Sequence, residues 1–168
     1  MNKLKLVMGP DPIFKKKAET VSKIDQPIVH LCEGLLDMLY GENAVGIAAP
    51  MVGVLKRVIA YDLQEKGVNS PAVMINPEMI WDSDETQVFG EGSVCFPGVS
   101  AKITRPRMIK VKYSDQDGAE QVMEAQGWLS SVIQHEMDYL DGKTIFDTLS
   151  PVKRKMLFKK TRKFQKET

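Results

Sequence analysis

Cysteine is almost absent: the 168 residues contain two, Cys32 and Cys95. Two distant thiols cannot build a disulfide framework, so a reducing compartment is the simpler reading. Long apolar runs are lacking as well. The opening MNKLKLVMGPDP holds no stretch of signal-peptide length, and the run Ala44 to Leu55 is broken by glycines and Pro50, which disfavours secretion and membrane spanning. No internal repeat or low-complexity linker divides the chain, and Pro and Gly are scattered as turn punctuation. One domain is the expectation, and at this size about 70% of the extended chain's surface would be buried, enough for a core without staples.

Net charge is small, +1, but uneven. From Pro151 to Thr168 eight Lys or Arg face one acid, Glu167, which makes this end +7. Of 23 basic and 22 acidic side chains in all, 15 and 21 remain for the first 150 residues, a charge of −6. The expected organisation is therefore a body over 1–150 with a basic C-terminal helix over 151–168 of the same domain, and a basic end of this kind suits an anionic partner. A solvated helix whose Met156, Leu157 and Phe158 pack inward is the plain alternative.

Apolar residues at Ile28, Leu31 or Cys32, Leu35 and Leu39 recur at helical spacing and predict a helix from Pro27 to Tyr40, with Asp25 as N-cap and Gly41 as stop. The middle reads as strands at Arg57 to Leu63, Ala72 to Asn76, Lys102 to Ile103 and Met108 to Tyr113. The turn Asp117-Gly118 leads to a further strand, Glu120 to Ala125, in a hairpin. A second helix is predicted from Trp128 to Leu140, with an apolar stripe of Leu129, Val132, Ile133, Met137 and Leu140, and Gly142 just past its end.

That second helix contains Gln134-His135-Glu136-Met137-Asp138-Tyr139. A helical H-E-x-x-H puts two imidazoles one turn apart on one metal ion, with the Glu as general base; here Tyr139 stands at the second position. Alone, a helical His beside Glu is weak, and a satisfied or exposed histidine is the plain alternative. Two further segments are Ala44-Val45-Gly46-Ile47-Ala48-Ala49-Pro50-Met51-Val52-Gly53, whose small residues permit close backbone approach, and Glu91-Gly92-Ser93-Val94-Cys95-Phe96-Pro97-Gly98.

In order and separation these three segments resemble the signature motifs of the peptide deformylases, usually G-x-G-x-A-A-x-Q, E-G-C-x-S and H-E-x-x-H. The resemblance extends from Asp11-Pro12-Ile13 to Leu149-Ser150-Pro151 and the basic end. It implies an α+β, peptide deformylase-like fold, mixed or antiparallel strands around a central helix carrying the third motif, plus a C-terminal helix. It also implies removal of formyl from N-terminal formyl-methionine in bacterial cytoplasm or an organelle, by a monomer that uses a divalent metal.

The departures from that pattern fall on functional positions. Of the three implied metal ligands His135 is kept, while Ser93 and Tyr139 occupy the Cys and second His positions. Met51 replaces the glutamine that helps polarise the formyl oxygen, and Ala44 the first glycine. Glu136, the implied general base, and the backbone N–H of Val94 remain. A serine hydroxyl does not ionise near neutrality and a phenol does so with difficulty, so His135, Ser93 and Tyr139 would hold Fe²⁺, Ni²⁺ or Zn²⁺ poorly. Cys95 could replace the thiolate only through a bulge or a displaced metal, because in an extended segment it lies about 6.5 Å from residue 93; a buried structural cysteine is its ordinary reading.

The resemblance further implies an ion pair of Glu91 with Arg105 and a peptide groove formed by the backbone of Val45, Gly46 and Gly92 with the side chains of Val94, Ser131 and Val132. Simple packing for Met51 and surface charge for Glu91 and Arg105 are the plain alternatives. Three readings follow. The first is a deformylase-like protein that has lost standard metal-dependent activity, binds no metal or binds it weakly, and serves in binding or structure. The second is an active deformylase with an unusual metal site, and the third a hydrolase or redox protein using Cys95 with His135. Formyl-methionyl peptides, and ribosomal RNA at the basic helix, are the implied partners.

Overall fold

A computed structural model describes residues 3–168. Helix α1 (Gln26–Gly41) is followed by β1 (Gly46–Ala48), β2 (Val58–Tyr61), β3 (Ala72–Asp82), β4 (Thr86–Ser93), β5 (Phe96–Pro106), β6 (Met108–Ser114), β7 (Glu120–Gln126), α2 (Trp128–Leu140) and α3 (Pro151–Glu167). Five strands form one antiparallel sheet in the order β1-β2-β3-β6-β7, and β4 and β5 form a separate antiparallel hairpin. The expected α+β architecture is present, with α2 packed among β1, β2, β5 and β7.

The sequence signals act as expected at α1. Asp25 Oδ1 accepts the amide hydrogen of Ile28 at 3.2 Å, Pro27 lies in the first turn, and Ile28, Leu31, Cys32, Leu35 and Leu39 are buried. Helix α2 has the predicted bounds. Gly142 follows it at φ +71°, and a Cβ there would stand 2.7 Å from the Lys15 backbone, so the close passage of the N-terminal segment requires glycine.

The strands differ more. Instead of ending at Asn76, β3 continues to Asp82 through two register shifts. Asn76 itself adopts φ +53°, and its amide pairs with both backbone groups of Val21 at 2.8 Å. The Asn-Pro step that reads as a strand end is thus a bulge inside a longer strand. The two-residue reading at 102–103 is the middle of an eleven-residue strand, β5, and β4 has no counterpart among the predicted strands. Both belong to one hairpin; burial alternates along β5, whereas β4 is rich in polar residues and glycine and carries only a weak period in the sequence.

Helix α3 lies against β5. Leu157 and Thr161 are buried, the Thr161 hydroxyl donates to the Pro97 carbonyl at 2.8 Å, and Phe158 stacks on Phe96. Met156 is exposed, which corrects its expected inward packing.

The junction of α1 and the sheet rests on Asp62, which directly follows β2 and is 1% exposed. Its carboxylate accepts from the Tyr40 hydroxyl (2.6 Å) and the amides of Gln64 (2.8 Å) and Ser70 (2.9 Å). Burial works against ionisation, but these three donors outweigh it and hold the Asp62 pKa below the ordinary carboxylate value. A carboxyl lowered by folding stabilises above its unfolded pKa near 3.9, and that contribution is lost as pH falls through the folded value. Asp62→Asn should cost about 2 kcal/mol at pH 7, the scale of hydrogen bonds to a charged acceptor. It should also flatten the acid side of a plot of urea midpoint against pH, and equal acid slopes for parent and variant would refute the assignment.

Candidate functional site

Three segments distant in sequence meet at one cavity of about 510 Å³. The stretch through β1 supplies Val45 and Gly46, followed by Met51 in a 3-10 turn. The β4–β5 hairpin supplies Glu91, Gly92, Ser93 and Val94, and α2 supplies Ser131, Val132, His135 and Glu136. All six groove positions singled out in the sequence line this cavity. Gly46 lies close to α2: a Cβ there would stand 3.0 Å from both Glu136 Cγ and Val132 Cγ1, so a larger residue would press on those side chains.

An ion-pair cluster positions the helix against the hairpin. Arg105 donates from Nε to Glu91 Oε2 (2.8 Å) and from an Nη to Glu91 Oε1 (2.9 Å), and its other Nη reaches Asp138 Oδ2 at 2.9 Å. Glu91 Oε1 is also 2.8 Å from His135 Nδ1. Glu91, Arg105 and His135 are all buried. Burial opposes ionisation of each, yet the pairing prevails: the Glu91 pKa is lowered, and those of Arg105 and His135 are raised. Asp138, part of the quoted motif but given no role in the sequence reading, is the second carboxylate on Arg105. Gln87, also missed, donates from Nε2 to the Gly127 carbonyl (2.7 Å) and to Ser131 Oγ (2.8 Å), tying β4 to the start of α2.

Glu136 behaves differently. It is 2% exposed, its Oε1 lies 3.8 Å from His135 Nε2, and its Oε2 has no hydrogen-bond partner. Burial, stronger than the opposing effect of His135, raises its pKa to about 7.

The two remaining implied ligand positions face each other. Ser93 Oγ and the Tyr139 hydroxyl are 2.8 Å apart. Tyr139 is fully buried, edge-on to Phe14 at 5.4 Å and 5.6 Å from the His135 ring. Burial raises its pKa well above 10, so the phenol is neutral at pH 7. Among the described residues no three His, Cys, Asp or Glu side chains converge as a metal site would need. His135 with two neutral hydroxyls bonded to one another does not fit the divalent ion implied by the resemblance.

Cys95 sits in the two-residue turn between β4 and β5, where Ser93 pairs with Phe96, so the segment is a hairpin turn and not a continuous extended run. Its thiol is completely buried, points to the Met51 carbonyl at 4.0 Å, and has its pKa pushed up by burial. Those surroundings disfavour a thiolate nucleophile. Met51 is buried at the cavity wall, and its thioether side chain offers no N–H to a ligand oxygen.

Because Arg105 is the cation for two carboxylates, Arg105→Met should cost about 3 to 5 kcal/mol, the scale of breaking a buried pair from one side. Urea unfolding checks this, and Arg105→Lys, which keeps charge but loses the fork, should recover only part of the loss. A cost below about 1 kcal/mol, as for surface pairs, would contradict the role given to the cluster.

Residues 3–155 match the family model described as polypeptide deformylase. A protein of Rickettsia conorii named peptide deformylase-like is 48% identical over 155 residues, covering 92% of this chain and 85% of that protein. A peptide deformylase of Thermodesulfovibrio yellowstonii is 41% identical over 158 residues, 94% of this chain and 95% of its own. The crystal structure of peptide deformylase from Ehrlichia chaffeensis superposes with a TM-score of 0.94 at 32% identity, covering 99% of this chain and 98% of that one. Similarity along nearly the whole chain agrees with three motif segments gathered at one cavity: the chain belongs to the peptide deformylase family.

Proposed function

We propose that the chain keeps a peptide-binding groove of its family and has given up the standard metal-dependent removal of formyl from N-terminal formyl-methionine. The observation that carries this reading is the 2.8 Å contact between Ser93 Oγ and the Tyr139 hydroxyl. In the family these positions hold a thiolate and an imidazole. Here two neutral hydroxyls satisfy each other, and a metal would have to break their bond and ionise a buried phenol. Met51 removes a side-chain donor for the developing oxyanion, a change that typically costs about 10²- to 10³-fold in rate. The groove formed by Val45, Gly46, Gly92, Val94, Ser131 and Val132 is the part that supports continued binding of methionyl or formyl-methionyl peptides.

A second reading, an active deformylase with an unusual metal site, is favoured by one pair of residues. His135 is held by Glu91, and Glu136 has a pKa near 7, suited to a general base. Protein prepared without added metal should contain far less than one divalent ion per chain by elemental analysis, and stoichiometric iron, nickel or zinc at His135 would select the second reading. Ser93→Cys with Tyr139→His should create metal binding. Adding Met51→Gln should then raise turnover of formyl-Met-Ala-Ser by about 10²-fold over the double variant. A folded, metal-loaded triple variant that stays inert would mean that the groove has diverged as well.

The basic helix supports a ribosomal partner. Lys153, Lys155, Lys159, Lys160, Arg162, Lys163 and Lys166 are exposed on α3, while Leu157 and Thr161 face the body. Phosphate contacts release counterions, so co-sedimentation with ribosomes should be strongest at low salt and fall steeply as salt rises. Lys159→Glu, Lys160→Glu and Lys163→Glu together should weaken it, and indifference to both salt and charge reversal would leave α3 a structural role alone.

A further inference from the structure

A second cavity, of about 340 Å³, lies apart from the groove. Among the described residues Phe96 is the one member common to both linings, and its ring stands between them. The walls come from the N-terminal segment at 10–15, the 3-10 turn Ile145–Thr148 with its cap Thr144, and α3. Hydrogen bonds tie these distant segments together: Gln165 Nε2 donates to the Gly9 carbonyl (2.8 Å), the Gly9 amide to the Cys95 carbonyl (2.7 Å), and the Thr161 hydroxyl to the Pro97 carbonyl (2.8 Å). The cavity is therefore built before any ligand arrives, and a volume above about 300 Å³ with aromatic walls and a few polar groups is the form of a small-molecule site.

Four rings, Phe14, Phe96, Phe146 and Phe158, line it, with neighbouring centroids 4.6 to 6.0 Å apart. Another flat ring can join such a cluster edge-on or offset. The polar groups at the cavity are Lys15, Arg154 and Arg162 against Asp11 and Asp147, and none of the three cations forms an ion pair among the described residues. Both acids are engaged in capping: Asp11 Oδ1 accepts the Ile13 amide hydrogen at 2.9 Å, and Asp147 Oδ2 that of Thr144 at 2.7 Å. Arg154 is half-buried and held by neutral acceptors alone, from Nε to the Phe146 carbonyl (3.1 Å) and from one Nη to the Leu149 carbonyl (3.2 Å). Its guanidinium is thus fixed in place with its charge unopposed, and its other Nη is left for an anionic acceptor.

We propose that this second cavity binds a small aromatic carboxylate, its ring against the phenylalanines and its carboxylate on Arg154, with the exposed Lys15 and Arg162 at the rim. The site is separate from the peptide groove and stands or falls independently of what the groove binds.

The test is titration of the isotope-labelled full chain at pH 7, followed by amide NMR, with phenylpropionate, phenylpropanol and acetate as probes. Phenylpropionate is expected to bind with a Kd of about 1 mM or tighter, the affinity a probe of that size can reach. It should shift the amides of Asp11, Phe14, Lys15 and Thr144 to Asp147 and leave those of Val45, Gly46 and Ser131 in place. Phenylpropanol, which lacks the charge, and acetate, which lacks the ring, should each bind at least about tenfold more weakly. Arg154→Gln should weaken phenylpropionate by about tenfold or more, and Lys15→Ala with Arg162→Ala, both at exposed positions, by about threefold. No shift at about 10 mM phenylpropionate, shifts centred on the groove, or equal binding of phenylpropanol overturns the assignment. So does undiminished affinity in folded Arg154→Gln. Should that variant not fold, the surface double variant decides: a lower affinity for phenylpropionate with phenylpropanol unaffected supports the site, and an unchanged one overturns it.

Discussion

A guanidinium taken out of water must be fully paired, and the fork of Arg105 meets that demand with carboxylates from two different elements. Glu91 on β4 and Asp138 on α2 converge on Arg105 of β5, so the hairpin and the helix are locked at one relative position. The α2 and β4 walls of the site inherit that position. The same Glu91 that neutralises Arg105 also fixes the His135 ring through Nδ1, and residues 131, 132, 135 and 136 then face the cavity as a consequence of helical spacing. Such a cluster contributes geometric definition as much as net stability, since the attraction within it is largely offset by the cost of removing three charges from water.

Within this frame the replacements at positions 93 and 139 form a consistent set. A small hydroxyl and a large phenol meet at 2.8 Å, and the ring of Tyr139 packs on Phe14. Phe14 and Phe96 stand 5.6 Å apart, and Phe96 continues to Phe146 and Phe158. The interior next to His135 is thereby joined to an aromatic core that reaches α3. Polar satisfaction and aromatic packing act together there. Glu136 is the exception, a buried carboxyl oxygen left without a donor among side chains that otherwise find their partners.

The sequence alone determined helices α1 and α2, because a 3.6-residue apolar period, with Asp25 at the cap of α1 and Gly142 just past α2, has few competing interpretations. It also determined the family, through three short segments whose residue types and order are specific, and the six groove positions it named by that resemblance all line the cavity, whereas Val99 and Trp128 on the same wall were not named. Strand β4 was not legible and β5 only at Lys102 to Ile103, since a polar, glycine-containing β4 leaves little period to read, and Asn76-Pro77 has the composition of a turn while acting as a bulge. Tertiary structure alone decided how the unusual residues relate. Position numbers could mark Ser93 and Tyr139 as weak ligands, but their bond to each other depends on the hairpin being held against α2. In the same way the burial of the Cys95 thiol, the second carboxylate on Arg105 and the unpartnered oxygen of Glu136 arise from packing between elements far apart in the chain, for which one-dimensional spacing carries no signal.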